Sequence, residues 1–110
     1  MKIAVPTNEG MLCSHFGHCE KFAIIDVADN KIVKEVYLKP PPHEPGSFPA
    51  WLKEQGVNMI IAGGMGQRAI SLFQSNNIEV IVGATPQPAG ILVYSYLEGK
   101  LKSGKNICDH

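Results

Sequence analysis

Apolar residues fall into two patterns along this chain, and each predicts a different kind of element. Continuous apolar runs bounded by turn residues read as buried strands: Lys2 to Thr7, Phe22 to Val27, Asn58 to Gly63 and Glu79 to Gly83. Ile32 to Leu38 instead alternates apolar and charged residues, as a strand does when one face is wet. Between the second and third strands, Ala28-Asp29-Asn30-Lys31 predicts a hairpin turn, because Asp and Asn tolerate positive φ. Helical spacing occurs three times. The first helix runs from Ser47, as its cap, to about Gln55, with Phe48, Trp51 and Leu52 inward and Gly56 as its stop. The second, about Gln67 to Asn76, buries Ala69, Ile70 and Phe73. The third, about Pro88 to Glu98, carries Ala89, Leu92, Val93, Tyr96 and Leu97.

The resulting order, β-β-β-α-β-α-β-α, predicts an α/β protein with a mixed five-stranded sheet and helices packed on it. Apolar strands alternating with helices in the second half imply parallel pairing buried on both faces. The hairpin adds antiparallel strands at one side, and right-handed crossovers bring the helices over the sheet. The proline-rich stretch Pro40 to Gly46 is a surface connector, since proline fits neither a helix interior nor a central strand. In such a sheet ligands gather beyond the strand ends, where strand order reverses. The loop of residues 8–20 and the Gly63-Gly64-Met65-Gly66 turn should therefore face one another.

Composition narrows the function. A chain of 110 residues has room for one domain, residues 1–110, and needs no staple to fold. Lys+Arg and Asp+Glu balance at 10 each, and Arg68 is the sole arginine, so there is no basic patch for nucleic acid or an anionic membrane. The N-terminal apolar run breaks at Pro6, too early for a signal segment, and no run approaches membrane-spanning length. Cytoplasm is the expected compartment. Three cysteines, an odd number, argue against a closed disulfide framework.

The densest chemistry is Cys13-Ser14-His15-Phe16-Gly17-His18-Cys19, which holds four of the chain's seven Cys and His residues. Cys108 and His110 add two more at the far end. Thiolate and imidazole select zinc, copper(I) and iron–sulfur chemistry. A single cysteine is most often a small buried hydrophobe, but a loop offers little core in which to bury four such residues. The spacing is not that of a zinc finger or knuckle, so an open or shared site is expected rather than a closed structural one. Gly63, Gly64, Met65 and Gly66 form a second candidate, a glycine turn opening a helix whose N-terminus favours negative charge. Neither a phosphate-binding loop nor a dinucleotide fingerprint is present. Met65 fits the core or a pocket wall, although a thioether is also a soft ligand. Hydrolytic catalysis has no paired carboxylates and no Gly-x-Ser-x-Gly elbow to support it.

Met1-Lys2-Ile3-Ala4-Val5-Pro6, Ser14-His15-Phe16-Gly17-His18-Cys19 and Phe22-Ala23-Ile24-Ile25-Asp26 together resemble the dinitrogenase iron–molybdenum cofactor biosynthesis family. That family includes NifX-like carriers and the C-terminal domain of NifB-like proteins. Gly63-Gly64-Met65-Gly66 with Ala69 and Phe73, and the closing Cys108-Asp109-His110, match as well. The resemblance implies a ribonuclease H-like fold without nuclease activity, since Ile3-Ala4-Val5-Pro6 carries no acid where nucleases of that fold place a metal-binding carboxylate. It implies a non-catalytic binder or carrier of an iron–sulfur or molybdenum-containing cluster, or of a precursor, with donor and acceptor proteins as partners. By position it assigns metal binding to His15, His18 and Cys19, then to Cys108 and His110; Cys13 joins them from the reading of the loop itself. Two other readings stand beside it. One is a small interaction or regulatory module that binds a small anion or a partner protein without metal. The other is a cysteine-dependent redox enzyme, with a thiol at Cys13 or Cys19 that reacts well below neutral pH.

Overall fold

The computed structural model describes residues 1–13, 19–42 and 46–101. Nine elements follow one another among them. They are β1 (Lys2–Asn8), β2 (Met11–Leu12), β3 (Lys21–Ala28), β4 (Lys31–Leu38), α1 (Ser47–Glu54), β5 (Met59–Ile61), α2 (Gln67–Ser75), β6 (Glu79–Ile81) and α3 (Ala89–Leu97). The long strands lie in the order β4-β3-β1-β5-β6, with β2 paired to β1. Pairing is antiparallel from β4 to β1 and parallel from β1 to β6. The sheet is thus the mixed, ribonuclease H-like one expected, with six strands rather than five.

Alternation along the central strands splits the core into two layers. Ile3 and Val5 of β1, Ala23 and Ile25 of β3, and Met59 and Ile61 of β5 pack with Ala89, Leu92 and Val93 of α3. Their neighbours Ala4, Phe22, Ile24 and Ile60 point the other way and pack with Phe48 and Leu52 of α1 and Phe73 of α2. Both faces are covered, which is why these strands read as continuous apolar runs. Phe22 anchors the α1 side, edge-on to Phe48 with ring centroids 5.3 Å apart and tilted against Trp51 at 5.7 Å.

The edge strand β4 follows its alternation only in part. Its pairing with β3 shifts between Asp26 and Val27. A bulge of this kind reverses the phase of the pleat, so Ile32 packs on the α3 side while Val36 and Leu38 pack on the α1 side. The hairpin at Asp29-Asn30 forms as expected, with φ of 52° and 61°, the twist that a two-residue turn needs. Ser47 is not the cap of α1. Gly46 holds that place at φ 81°, Ser47 is the first helical residue, and its hydroxyl donates to Pro42 O at 3.1 Å.

Candidate metal centre

The candidate centre begins where β1 ends. Glu9 and Gly10 take φ of 52° and 80° and turn the chain back in two residues, pairing Asn8 with Met11 and Thr7 with Leu12. β5 meets β1 only at Ile3 and Ala4, so the rest of that edge is open to β2. Cys13 N–H extends the pairing to Pro6 O at 2.9 Å. The outer side of the same hairpin is bonded to the entry of α3: Leu12 N–H donates to Gln87 O at 2.9 Å, and Ala89 N–H to Gly10 O at 3.2 Å. The 8–20 region expected as loop therefore starts with a strand fastened on both sides.

Pleating then sorts the side chains. Leu12 belongs to the core beneath α3. Cys13, one residue on, is buried with its sulfur accepting from Asn8 Nδ2 at 3.3 Å. On the opposite edge of β1, Glu20 N–H donates to Thr7 O at 3.0 Å, and Cys19 just before it packs half-buried against the core beneath α1 and α2. Both residues are thiols rather than halves of a disulfide. Cys19 is pushed up from 9.0 to about 12, first by burial and then by the negative charge that Cys13 would carry, while its own backbone pulls weakly the other way.

β1 and β5 are parallel neighbours, so the turn after β5 opens at the same sheet edge. Strand order reverses between them, with β3 and β4 on one side and β5 and β6 on the other. Gly63 and Gly64 are buried, and Gly63 O accepts from Gly83 N–H at 2.9 Å, which ties the turn to the end of β6. Gly66 is exposed at the start of α2, with no side-chain cap and no acidic residue in the first turn. Those helix-end amides suit an anionic guest. Met65 differs from its neighbours. Its side chain is fully buried, in the layer that holds Phe22, Phe48 and Phe73.

The structure thus brings Cys13 and Cys19 to one end of the sheet, the end at which the glycine turn opens. His15, His18, Cys108 and His110 lie outside the described residues. Among the described residues no three Cys, His, Asp or Glu side chains form a metal-holding group. The donor set on view is a pair of thiols, which fits a soft metal or a sulfide cluster and not a hard, oxygen-seeking cation. Pattern reading missed Asn8 and Glu20, whose side chains brace the ends of the Cys/His segment. Glu20 Oε1 accepts from Glu9 N–H at 2.8 Å, and Asn8 Oδ1 accepts from Glu20 N–H at 2.7 Å. The available signal was Asn8-Glu9-Gly10, a turn sequence with glycine at its second central position.

An opening of about 420 Å³ lies beside the hairpin, lined by Thr7, Glu9, Gly10, Glu20, Lys21 and Tyr37. Two carboxylates against one ammonium give it the wrong sign for a small anion. No described helix is long and apolar enough to cross a membrane.

Comparison with known proteins agrees with this architecture. The chain is 36% identical over 107 residues to the uncharacterized protein MJ0580 of Methanocaldococcus jannaschii, covering 93% of this chain and 90% of that one. The crystal structure of PH0822 superposes with a TM-score of 0.86 at 26% identity, covering 94% of both chains. The apo form of the orange protein from Desulfovibrio gigas shares the fold, with a TM-score of 0.76 at 21% identity over 96% of this chain and 93% of that one. Residues 1–99 match the family described as dinitrogenase iron–molybdenum cofactor, and the chain belongs to that family.

Proposed function

We propose that this protein binds an iron–sulfur or molybdenum-containing cluster, or a precursor of one, and passes it on without catalysing a reaction. The observation that carries the reading is that Cys13 and Cys19, one on each side of β1, both lie at the sheet end where strand order reverses. Cys19 and Cys13 are the thiolate donors. His15 and His18, in the segment between them, are the imidazole donors, and Cys108 and His110 are further ligands from the C-terminal segment. Backbone at Gly63, Gly64 and Gly66 shelters the anionic side of the guest, with the uncapped start of α2 as its electrostatic partner. Family membership supports the association with the cofactor. The protein works in the cytoplasm, with a cluster donor and a cluster acceptor as its partners, and contacts neither nucleic acid nor membrane.

A carrier needs ligands that hold and then release. A thiol whose proton is favoured by burial does this, because the metal must displace that proton on loading and regain of the proton helps release. The same property speaks against Cys19 as the thiol of a redox enzyme, which needs a thiolate near neutral pH.

Anaerobic reconstitution with iron and sulfide, or with molybdate, copper and sulfide, tests the proposal. A stoichiometric chromophore is expected, weakened by Cys19→Ala and by His15→Ala. Retention of the chromophore by both variants would refute those assignments, and no chromophore under either condition would refute the carrier reading.

A further inference from the structure

Asn8 spans the two ends of the segment that separates Cys13 from Cys19. Its Nδ2 donates to Cys13 Sγ at 3.3 Å, and its Oδ1 accepts from Glu20 N–H at 2.7 Å, one residue beyond Cys19. The amide has only one sensible orientation: turned over, its NH₂ would face the Glu20 N–H, donor against donor. The Cys19 end has further fastenings, since Glu20 N–H also reaches Thr7 O and Glu20 Oε1 holds Glu9 N–H. Asn8 links that end to the sulfur of Cys13. A donor aimed at sulfur favours the anionic, metal-bound thiolate, because its partial positive charge faces the charge that develops there.

We propose that Asn8 is a positioning residue of the dithiol site. One side-chain amide sets the spacing of the two thiols so that both close on a single soft centre. The proposal rests on the reading of Cys13 and Cys19 as a metal-binding pair and adds the residue that presets their separation. Asn8 is exposed, and Glu20 N–H keeps Thr7 O as a partner, so the variants should fold.

The test uses the full chain carrying Cys108→Ser, which leaves Cys13 and Cys19 as its two thiols. Phenylarsine oxide reports their spacing without any cluster. Its arsenic(III) exchanges the oxygen for two As–S bonds, and both thiol protons leave with that oxygen as water, with no change of oxidation state. The parent chain should capture one equivalent, and Asn8→Ala should weaken capture about tenfold, the size of one lost hydrogen bond. The neutral arsenical brings no cation for a carboxylate to attract or ligate, so its capture should fall further in Asn8→Asp than in Asn8→Ala. Aspartate keeps the acceptor for Glu20 N–H but sets a carboxylate against the sulfur. A merely structural role predicts the reverse order, since aspartate preserves the loop bond. Unchanged arsenical capture in Asn8→Ala, or capture by Asn8→Asp as tight as that by Asn8→Ala, would overturn the proposal. A parent chain that captures no arsenical would sink the paired-thiol reading and the clamp with it, whereas capture lost in the Asn8 variants alone upholds both.

Discussion

Cys19 keeps its proton through the neutral range, since burial and the neighbouring Cys13 raise it to about 12. A metal must displace that proton, so the affinity of the apoprotein for cadmium should rise about tenfold per pH unit for this group alone. Titrations across the neutral range check this, and a flat profile would exclude Cys19 as a ligand. The same shift acts on stability with a defined sign. Below pH 9 the thiol is protonated in both folded and unfolded chains and costs nothing. Between about 9 and about 12 only the unfolded chain ionises, so the fold loses stability as pH rises. Urea melts in that window should lose less stability with pH in Cys19→Ala than in the parent. Met65 offers a contrast. Met65→Leu conserves volume in a packed core and should cost less than about 1.5 kcal/mol, with metal uptake unchanged. Loss of uptake at intact stability would instead make the thioether a ligand.

Turns and helices carry the next set of expectations. Gly10 sits at φ +80° with open space where a Cβ would be, so Gly10→Ala meets only backbone strain, about 1–2 kcal/mol in denaturant melts. That strain falls on the hairpin that presents Cys13, so reduced metal uptake should accompany it. Gly90 is the opposite case. It lies inside α3, where an added Cβ would meet Glu35 Oε2 at an ordinary 3.5 Å. Gly90→Ala should stabilise the protein by about 0.5–1 kcal/mol through helix propensity and leave the site untouched.

At the scale of the whole molecule, one sheet serves two cores. Phe73 belongs to the layer beneath α1 and α2 and Leu92 to the layer beneath α3, and both are fully buried. Phe73→Ala should cost about 3–5 kcal/mol and Leu92→Ala about 2–5 kcal/mol. They lie on opposite faces of the sheet in separate packing clusters, so the costs should add in the double variant, within about 0.5 kcal/mol. The backbones of β1, β3 and β5 run through both layers, so calorimetry should still show one cooperative transition rather than two.

Periodicity and turn chemistry are local properties, and what depends on them was legible residue by residue. The four apolar runs, the Asp29-Asn30 hairpin and the inward faces of the three helices follow from side-chain size, alternation and tolerance of positive φ. So does the crowding of soft ligands between Cys13 and Cys19, because their identities are written in order. The sixth strand was not legible. Met11-Leu12 is too short to show a period, and it becomes a strand because β5 leaves that stretch of the β1 edge open. The bulge in β4 depends equally on its partner, since pairing register belongs to two strands at once. Met65 read as either core or ligand, and only the folded chain shows that it lies in the layer with Phe22, Phe48 and Phe73. The turn sequence Asn8-Glu9-Gly10 signalled a hairpin but not what the Asn8 side chain would hold, for a polar residue beside a turn is ordinary. Only the folded chain brings its amide between the sulfur of Cys13 and the backbone of Glu20, because those partners lie 5 and 12 residues away and meet only across paired strands.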